Sequence, residues 1–404
     1  MATLGIDIGA YEHAVAVCRD GATEAERRVL RISADRGGFS DLDRLMASAG
    51  PIERVAMESS GHYWFAIASH LAHRGVPVAV VSPVASKYFA KRRLRRAKSD
   101  PADARTLAAL AMVDRPRTRA PLAGQELREA ARFAMTLVQE QARVCQRILR
   151  LVDIGFPELR SAYEDPGCAS AIALLRLAPT ARAAAAKRTT TLARARTAGG
   201  RVVGPKKAQQ IQAAAKTTVA PPELDVQVGF EMELLISQHD FLEQQIAIAD
   251  ARLAELADGE VARRLRTIPG VGAATAAALV AEIGDIFRFD AFDQLVAFAG
   301  VHAAERSSGK KGADPETSWR MAKTGDAYLR AALYRIALVG TVHNPVIREH
   351  YRRKRAAGKS KMNALGHCMK KALAIVWGVW RSDHDFVVPE GIPSGRRGMG
   401  PSLR

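Results

Sequence analysis

Residues 3–19 read TLGIDIGAYEHAVAVCR, and the fold is decided there. TLGIDIG and HAVAVC are two short runs rich in Val, Ile and Leu, separated by a turn, as expected for adjacent strands. Asp7 stands mid-strand between Ile6 and Ile8. Neighbouring strand residues face opposite sides, so Asp7 points away from its apolar neighbours, and Gly5 and Gly9 leave room beside it. An ionisable group in an otherwise buried strand is costly without a partner. This aspartate therefore asks for an explanation.

Working outward, RRVLRIS (27–33) reads as a third strand, and Gly37 to Ala49 has helical spacing at Phe39, Leu42, Leu45 and Met46. ERVAMES (53–59) is another strand, His62 to Arg74 another helix, and VPVAVVSP (76–83) a last strand closed by a proline. Three strands, then helix, strand, helix, strand, helix is an α/β pattern built on a central sheet. It is the element order of a ribonuclease H-like fold.

Three further carboxylates fall at the ends of these elements. Glu58 closes the ERVAMES strand, and Asp100 and Asp103 open the helix after KSDPADA, where an i, i+3 spacing puts both on one face. If the first strand and ERVAMES are adjacent and that helix crosses their ends, four acids converge. Two Mg²⁺ ions resolve their repulsion, because this cation prefers carboxylate oxygens and keeps substrate phosphates among its ligands. Such a pair, about 4 Å apart, stabilises both the attacking and the leaving oxygen of a phosphodiester displacement. For Asp100, followed by Pro101, simple helix capping is the competing explanation.

The chain has 404 residues and a formal net charge of +18, with a sequence pI near 10.1. That length suggests two or three domains, and 48% hydrophobic residues suffice for buried cores. The charge is concentrated, which points to a polyanionic partner. Lys87 to Lys98 reads KYFAKRRLRRAK, with Lys87, Lys91, Arg92, Arg93, Arg95, Arg96 and Lys98 as candidate nucleic-acid contacts and Tyr88 and Phe89 as stacking groups. Pro166 to Pro222 holds ten bases and no acid, and Arg348 to Lys361 reads REHYRRKRAAGKSK. Six to ten such cations on phosphates would make affinity fall by ~10³ to 10⁵ between 50 and 200 mM salt. The longest apolar stretches fall short of the ~18 residues of a membrane span, and the N-terminus does not read as a signal peptide. The expectation is a cytoplasmic protein without membrane contact, at the nucleoid when on DNA. Cys18, Cys145, Cys168 and Cys368 are too scattered for zinc or a disulfide framework.

The expected domains are 1–120, with the acids; 121–262, helical; 263–385, mostly helical; and a flexible tail, 386–404. In the second, 122–155 carries a stripe of Leu127, Ala131, Met135, Val138, Ala142, Cys145 and Leu149. The basic segment 166–222 has weak periodicity and Gly199, Gly200 and Gly204, and reads as a linker or an arm that orders on RNA or DNA. Glu223 to Glu260 has ten acids against one base, Arg252, on a long helix that is either a coiled coil or a core helix. In the third domain, LRTIPGVGAATAAALVAEIG reads as a helix-hairpin-helix. Gly270 and Gly272 there would expose backbone N–H groups to a DNA phosphate. Later, FAGVHAAERSSGKKG sets Ser307 and Ser308 in a loop flanked by Arg306, Lys310 and Lys311. A hydroxyl among cations and amides can attack a phosphodiester, although Ser-Gly is also an ordinary turn.

These blocks resemble a known family. GIDIG, the Glu58 strand and VSPVASKYFAKRRLRRAKSDPADARTLA resemble the N-terminal domain of the DEDD transposases of the one-ten family of bacterial insertion sequences, which includes related pilin-gene invertases. IPGVGAATAAALVAEIGDIFRFDAFDQLVAFAGVHAAERSSGKKG and KTGDAYLRAALYRIA resemble its C-terminal transposase domain. The resemblance covers roughly residues 3–115 and 263–380. It implies a site-specific DNA recombinase that excises and inserts its own element. It implies a domain similar to the RuvC Holliday-junction nuclease, with Asp7, Glu58, Asp100 and Asp103 as the Mg²⁺-binding tetrad, and Ser308 as the nucleophile that links covalently to DNA. It also implies guidance by a bridge RNA that pairs with target and donor DNA, and a homodimer or homotetramer whose subunits share sites. The basic segment and the acidic helix would then be places for RNA contact and subunit pairing. One departure is that Ala299-Gly300 leads into Val301-His302-Ala303 where the family usually has a proline a few residues on, which leaves Ser307 in contention with Ser308. The other is that residues 156–222 align with nothing. Apart from the resemblance, a metal-dependent junction nuclease using water, or a non-catalytic nucleic-acid scaffold, would also suit the residues.

Overall fold

The computed structural model describes residues 1–404 apart from 23–24, 27, 60, 93–98, 119–121, 123, 306–318, 323 and 393–404. The chain divides into two units, Met1–Glu126 and Leu127–Arg404.

The first unit is built on a five-stranded sheet: β1 (Ala2–Ile8), β2 (Glu12–Arg19), β3 (Val29–Ser33), β4 (Ile52–Glu58) and β5 (Val78–Val81). Its order is β3-β2-β1-β4-β5. β1 pairs antiparallel with β2, and β2 with β3, whereas β4 lies parallel to β1 and β5 parallel to β4. That mixed order is ribonuclease H-like. Four helices accompany it: α1 (Arg36–Ala49), α2 (Trp64–His73), α3 (Pro83–Arg92) and α4 (Asp100–Val113).

Both faces of the sheet are covered, which is why its strands read as near-continuous apolar runs. One face presents Leu4, Ile6, Val15, Val55 and Met57 to Leu42, Ile67 and Leu71 of α1 and α2. The other presents Ala14, Ala16 and Cys18 to Ala104 and Ala108 of α4. Small residues on that face let helix and sheet approach closely. At Gly5 the approach is backbone to backbone: a Cβ there would overlap Ala108 N and Ala104 O. Gly5→Ala is accordingly expected to cost at least about 2 kcal/mol, as an overpacked core does, and to lower the denaturant midpoint of the purified protein. An unchanged midpoint would mean that α4 does not rest on β1.

The second unit holds two apolar cores along two long helices, α5 (Gln125–Gly155) and α11 (Asp225–Leu256). Segment 166–222, expected as a linker, is folded: α7 (Ala169–Leu177), α8 (Ala181–Ala186), α9 (Thr189–Ala193) and α10 (Pro205–Lys216) follow a short α6 (Leu159–Ala162). Leu174, Leu175, Ala181, Ala184, Leu192 and Ile211 are buried against Ile148 and Val152 of α5 and Met232 of α11. The periodicity is weak because much of this packing is done by alanine, a strong helix former whose methyl barely marks an apolar stripe.

The other core gathers α12 (Glu260–Leu265), α13 (Ala273–Ile283), α14 (Phe292–Ala299), α15 (Ala327–His343), α16 (Pro345–Ala356) and α17 (Lys361–Ser382) around residues such as Leu279, Leu333 and Leu373. Serving two cores bends the stripe expected on α5: it holds through Ala131 and Met135, then moves to Leu137, Val144, Ile148 and Val152. Glu282, 2% exposed, takes two bonds from Arg132 at 2.7 and 2.8 Å. On α11, Met232, Leu235, Ile236 and Leu242 face the core, so this helix is a core helix along that face. Phe230, Leu234, Phe241 and Ile248 stay exposed on the rest of it. The expected tail begins anchored, with Phe386 N donating to Thr267 Oγ1 at 2.8 Å; from 393 on it lies outside the described residues. None of the four cysteines is in a disulfide. No described helix is long and apolar enough to cross a membrane.

Candidate active site

The four carboxylates come to one end of the first unit for reasons that can be followed along the backbone. β1 and β4 are parallel, with Gly5 opposite Ala56 and Ile6 opposite Met57. The same register carried one residue further sets Asp7 level with Glu58. Asp7 shares strand parity with Gly5, and Glu58 with Ala56, so both lie on the side of the sheet that α4 covers. α4 runs antiparallel to β1: Thr3 Oγ1 donates to Ala108 O at 3.0 Å, and Gly5, two residues on, meets Ala104. The start of α4, with Asp100 and Asp103, therefore lies at the Asp7 end of β1. Asp7 and Asp100 line one open cleft of about 410 Å³, with Tyr11, Glu12 and Arg31 on its walls.

Three neighbours of these acids were not marked by the sequence. Ser86 of α3 donates to Glu58 at 2.5 Å. Arg31 of β3 reaches Asp100 at 3.9 Å and Glu12 at 3.5 Å. Tyr11, 87% exposed, stands on the rim. Helix capping does not account for Asp100, because Ser99 is the N-cap residue and Asp100 is the first residue of the helix.

The donor set consists of carboxylate oxygens, which suits a hard divalent cation such as Mg²⁺ better than a thiophilic metal. The acids surround the sheet end without forming one tight knot. Among the described residues, only His239, Asp240 and Glu243 have three ligand atoms within 4.8 Å of one another. There Asp240 is held by Arg176 at 2.5 and 2.9 Å, so that group is part of an ion pair.

The serine motif is bracketed by a two-stranded ribbon, β6 (Ala303–Glu305) and β7 (Trp319–Met321), paired antiparallel. Ser307, Ser308, Arg306, Lys310 and Lys311 lie outside the described residues. Where the family proline is missing, the backbone is well tied: Val301 N bonds Val296 O at 3.2 Å, and Ala322 N bonds His302 O at 3.0 Å.

Of the candidate nucleic-acid contacts, Lys87, Lys91 and Arg92 are exposed on α3, and Arg92 pairs with Asp114 at 2.6 Å. Arg93, Arg95, Arg96 and Lys98 lie outside the described residues. Tyr88 is 70% exposed, but Phe89, expected beside it as a stacking group, is 3% exposed and packs on Leu107 and Leu110 of α4. Phe89 falls on the side of α3 that faces α4, and Tyr88, about 100° around the helix from it, faces solvent. Gly270 and Gly272 sit in the turn from α12 to α13, Gly270 with φ 96°. The turn is held from behind by Asn344, whose Nδ2 donates to Pro269 O at 3.3 Å. Burial is the larger cause that drives His350 of α16 down to about 4, and Arg353 and Lys354 of the same helix and Lys371 of α17 add to it.

Comparison with known proteins places this arrangement. A transposase family profile, the DEDD transposase of IS110, matches residues 4–157, and one described as the transposase IS116/IS110/IS902 family matches residues 262–352. The chain belongs to the IS110 family of transposases. It is similar over 91% of its length to the mini-circle IS117 protein of Streptomyces coelicolor, at 29% identity and 91% coverage of that protein. An IS116 insertion-element protein of Streptomyces clavuligerus is 25% identical, with 95% of each chain covered. The transposase for insertion sequence element IS1111A of Coxiella burnetii is 36% identical over 94 residues, 23% of each chain. Among solved structures, Thermus thermophilus RuvC in complex with a Holliday junction substrate aligns over 30% of this transposase and 99% of its own chain, at 17% identity and a TM-score of 0.25. The ribonuclease H-like character of the transposase's first unit rests on its strand order, β3-β2-β1-β4-β5.

Proposed function

We propose that this transposase cuts and rejoins DNA through a metal-binding tetrad, Asp7, Glu58, Asp100 and Asp103, and a serine nucleophile, Ser308. The observation that carries the reading is the gathering of four carboxylates at one end of the ribonuclease H-like sheet, beside a cleft that Asp7 and Asp100 line. The four would hold Mg²⁺, which would draw charge from the phosphate oxygens when bound. Ser86, bonded to Glu58, holds that carboxylate in place. Ser308 Oγ would attack phosphorus, giving up its proton as the P–O bond to one strand breaks and that strand leaves as a hydroxyl. A new DNA hydroxyl reverses the step by attacking the phosphoserine, and the serine recovers its proton. No external energy source is needed, because one phosphodiester replaces another.

DNA is then the substrate, as target and as donor. Lys87, Lys91 and Arg92 on α3, the cations beside the serines, and the Gly270–Gly272 turn would hold phosphates and position the strands without reading bases. Sequence choice would fall to a bridge RNA paired with both DNAs, which would leave little base reading to the protein. The exposed apolar positions 234, 241 and 248 of α11, seven residues apart, support pairing of this helix with a second subunit as a coiled coil. The test is a covalent protein–DNA adduct on duplexes carrying the element's ends, resolved under denaturing conditions. The adduct is expected with Mg²⁺ and absent in excess chelator. Metal-independent adduct, or cleavage by water without any adduct, would count against the reading.

A further inference from the structure

In segment 166–222, two of the ten cations pair with a carboxylate among the described residues: Arg176 with Asp240 and Arg182 with Asp225, both on α11. Arg188, Arg194, Arg196, Arg201, Lys206 and Lys216 are exposed, and none has an ion pair among the described residues. They do not ride on a loose chain. The backbone turns at Thr197–Gly200 into a short hairpin, with Arg196 bridged to Val202 and Gly200 at φ 79°. Val203 N bonds Ala195 O and Gly204 N bonds Ala193 O, both at 3.0 Å, which fastens the hairpin to the end of α9. Thr189 Oγ1 donates to Gln212 at 2.6 Å and ties α9 to α10.

The placement of charge works against the free protein. Lys206 and Lys207 occupy the first turn of α10, where the helix dipole is already positive and no acid compensates; Lys207 lies over the Tyr163 ring, 4.1 Å from its centre, and Lys206 is left exposed. Arg196 and Arg201 flank the neighbouring hairpin. Ala208, Ile211 and Ala215 face inward on α10, leaving Lys206 and Lys216 on its outer face, about 15 Å apart along the axis. A local rule broken without internal compensation marks a functional surface, and this one asks for a polyanion.

We propose that the hairpin and the outer face of α10 form a docking surface for duplex DNA, contacting its phosphates. A short hairpin closed by one bridge, set beside a helix and edged with cations, can follow the phosphates that flank the wide major groove of B-form DNA. The deep, narrow major groove of an RNA duplex would exclude it. The inference rests on DNA being this transposase's substrate and adds a site outside the tetrad and serine motif.

The experiment uses the full-length protein and a fluorescent 30-base-pair duplex of mixed sequence, with an RNA duplex of the same length as the second arm. Arg194→Gln, Arg196→Gln and Arg201→Gln are combined in one variant, whose melting curve should match wild type because all three side chains are exposed and the bond lost from Arg196 to Gly200 O, 3.2 Å, lies at the surface. Its slope of log affinity against log salt should be shallower by about 3, with affinity for DNA down at least about tenfold at 100 mM salt. Lys206→Gln with Lys216→Gln should give a smaller loss in the same direction, and serves if the triple variant misfolds. A variant that binds DNA like wild type, or one that loses RNA binding while keeping DNA binding, overturns the inference alone. Wild-type protein without DNA affinity would overturn the recombinase reading and this inference with it.

Discussion

Asp7→Asn is expected to lower strand cleavage by at least about a thousandfold, corresponding to roughly 4 kcal/mol of transition-state stabilisation. Duplex binding should be unchanged. The substitution keeps the shape of the side chain in β1 and removes the negative charge from the cleft that Asp7 shares with Asp100. Loss of an anionic ligand weakens metal binding, so a partial return of cleavage at raised Mg²⁺ is expected too. The readouts are single-turnover cleavage of a labelled element-end duplex and binding of the same duplex in chelator. If the variant cleaves at the wild-type rate, the tetrad does not do the chemistry. If it cannot bind DNA, Asp7 acts on structure.

Ser308→Ala should abolish the covalent adduct altogether, while Ser307→Ala leaves most of it. A hydroxyl that forms the bond has no substitute in a methyl group, so the effect is all-or-none within detection. Binding to DNA and overall stability should both persist, since β6 and β7 pair through their backbones on either side of the serine motif. Mass spectrometry of the wild-type adduct after nuclease digestion would locate the phosphoester directly. An adduct of normal yield on Ser308→Ala would move the nucleophile to Ser307 or elsewhere. Unchanged strand hydrolysis in both variants would favour a junction nuclease that uses water.

Most of the first unit was legible because burial on both faces writes the strands as apolar runs and the helices at 3.6-residue spacing. The convergence of the acids was legible only in part. Asp7 declared itself by being charged in a buried strand, but its meeting with Glu58 needs β4 beside β1, and that is a fact of topology. Ser86 and Arg31 left no mark, because their partners Glu58 and Asp100 lie far along the chain and only the fold brings them together. Phe89 looked like a stacking group because it stands among cations, yet it faces α4. The basic segment misled for a different reason: where alanine builds the core, sequence periodicity fades though packing does not. The long acidic helix of 223–260 read equally as a coiled coil or a core helix, because so few repeats cannot separate the two; its burial of Met232 and Leu242 makes one side of it core.

The close seat of α4 on Gly5 has an evolutionary consequence. Because helix and strand touch through peptide groups at that point, the spacing between Asp7 and the Asp100–Asp103 turn is set by invariant atoms that every amino acid carries. Side chains elsewhere in the unit can drift as the element spreads between hosts without moving the acids apart. A lineage that exchanged this one glycine would have to re-invent the distance.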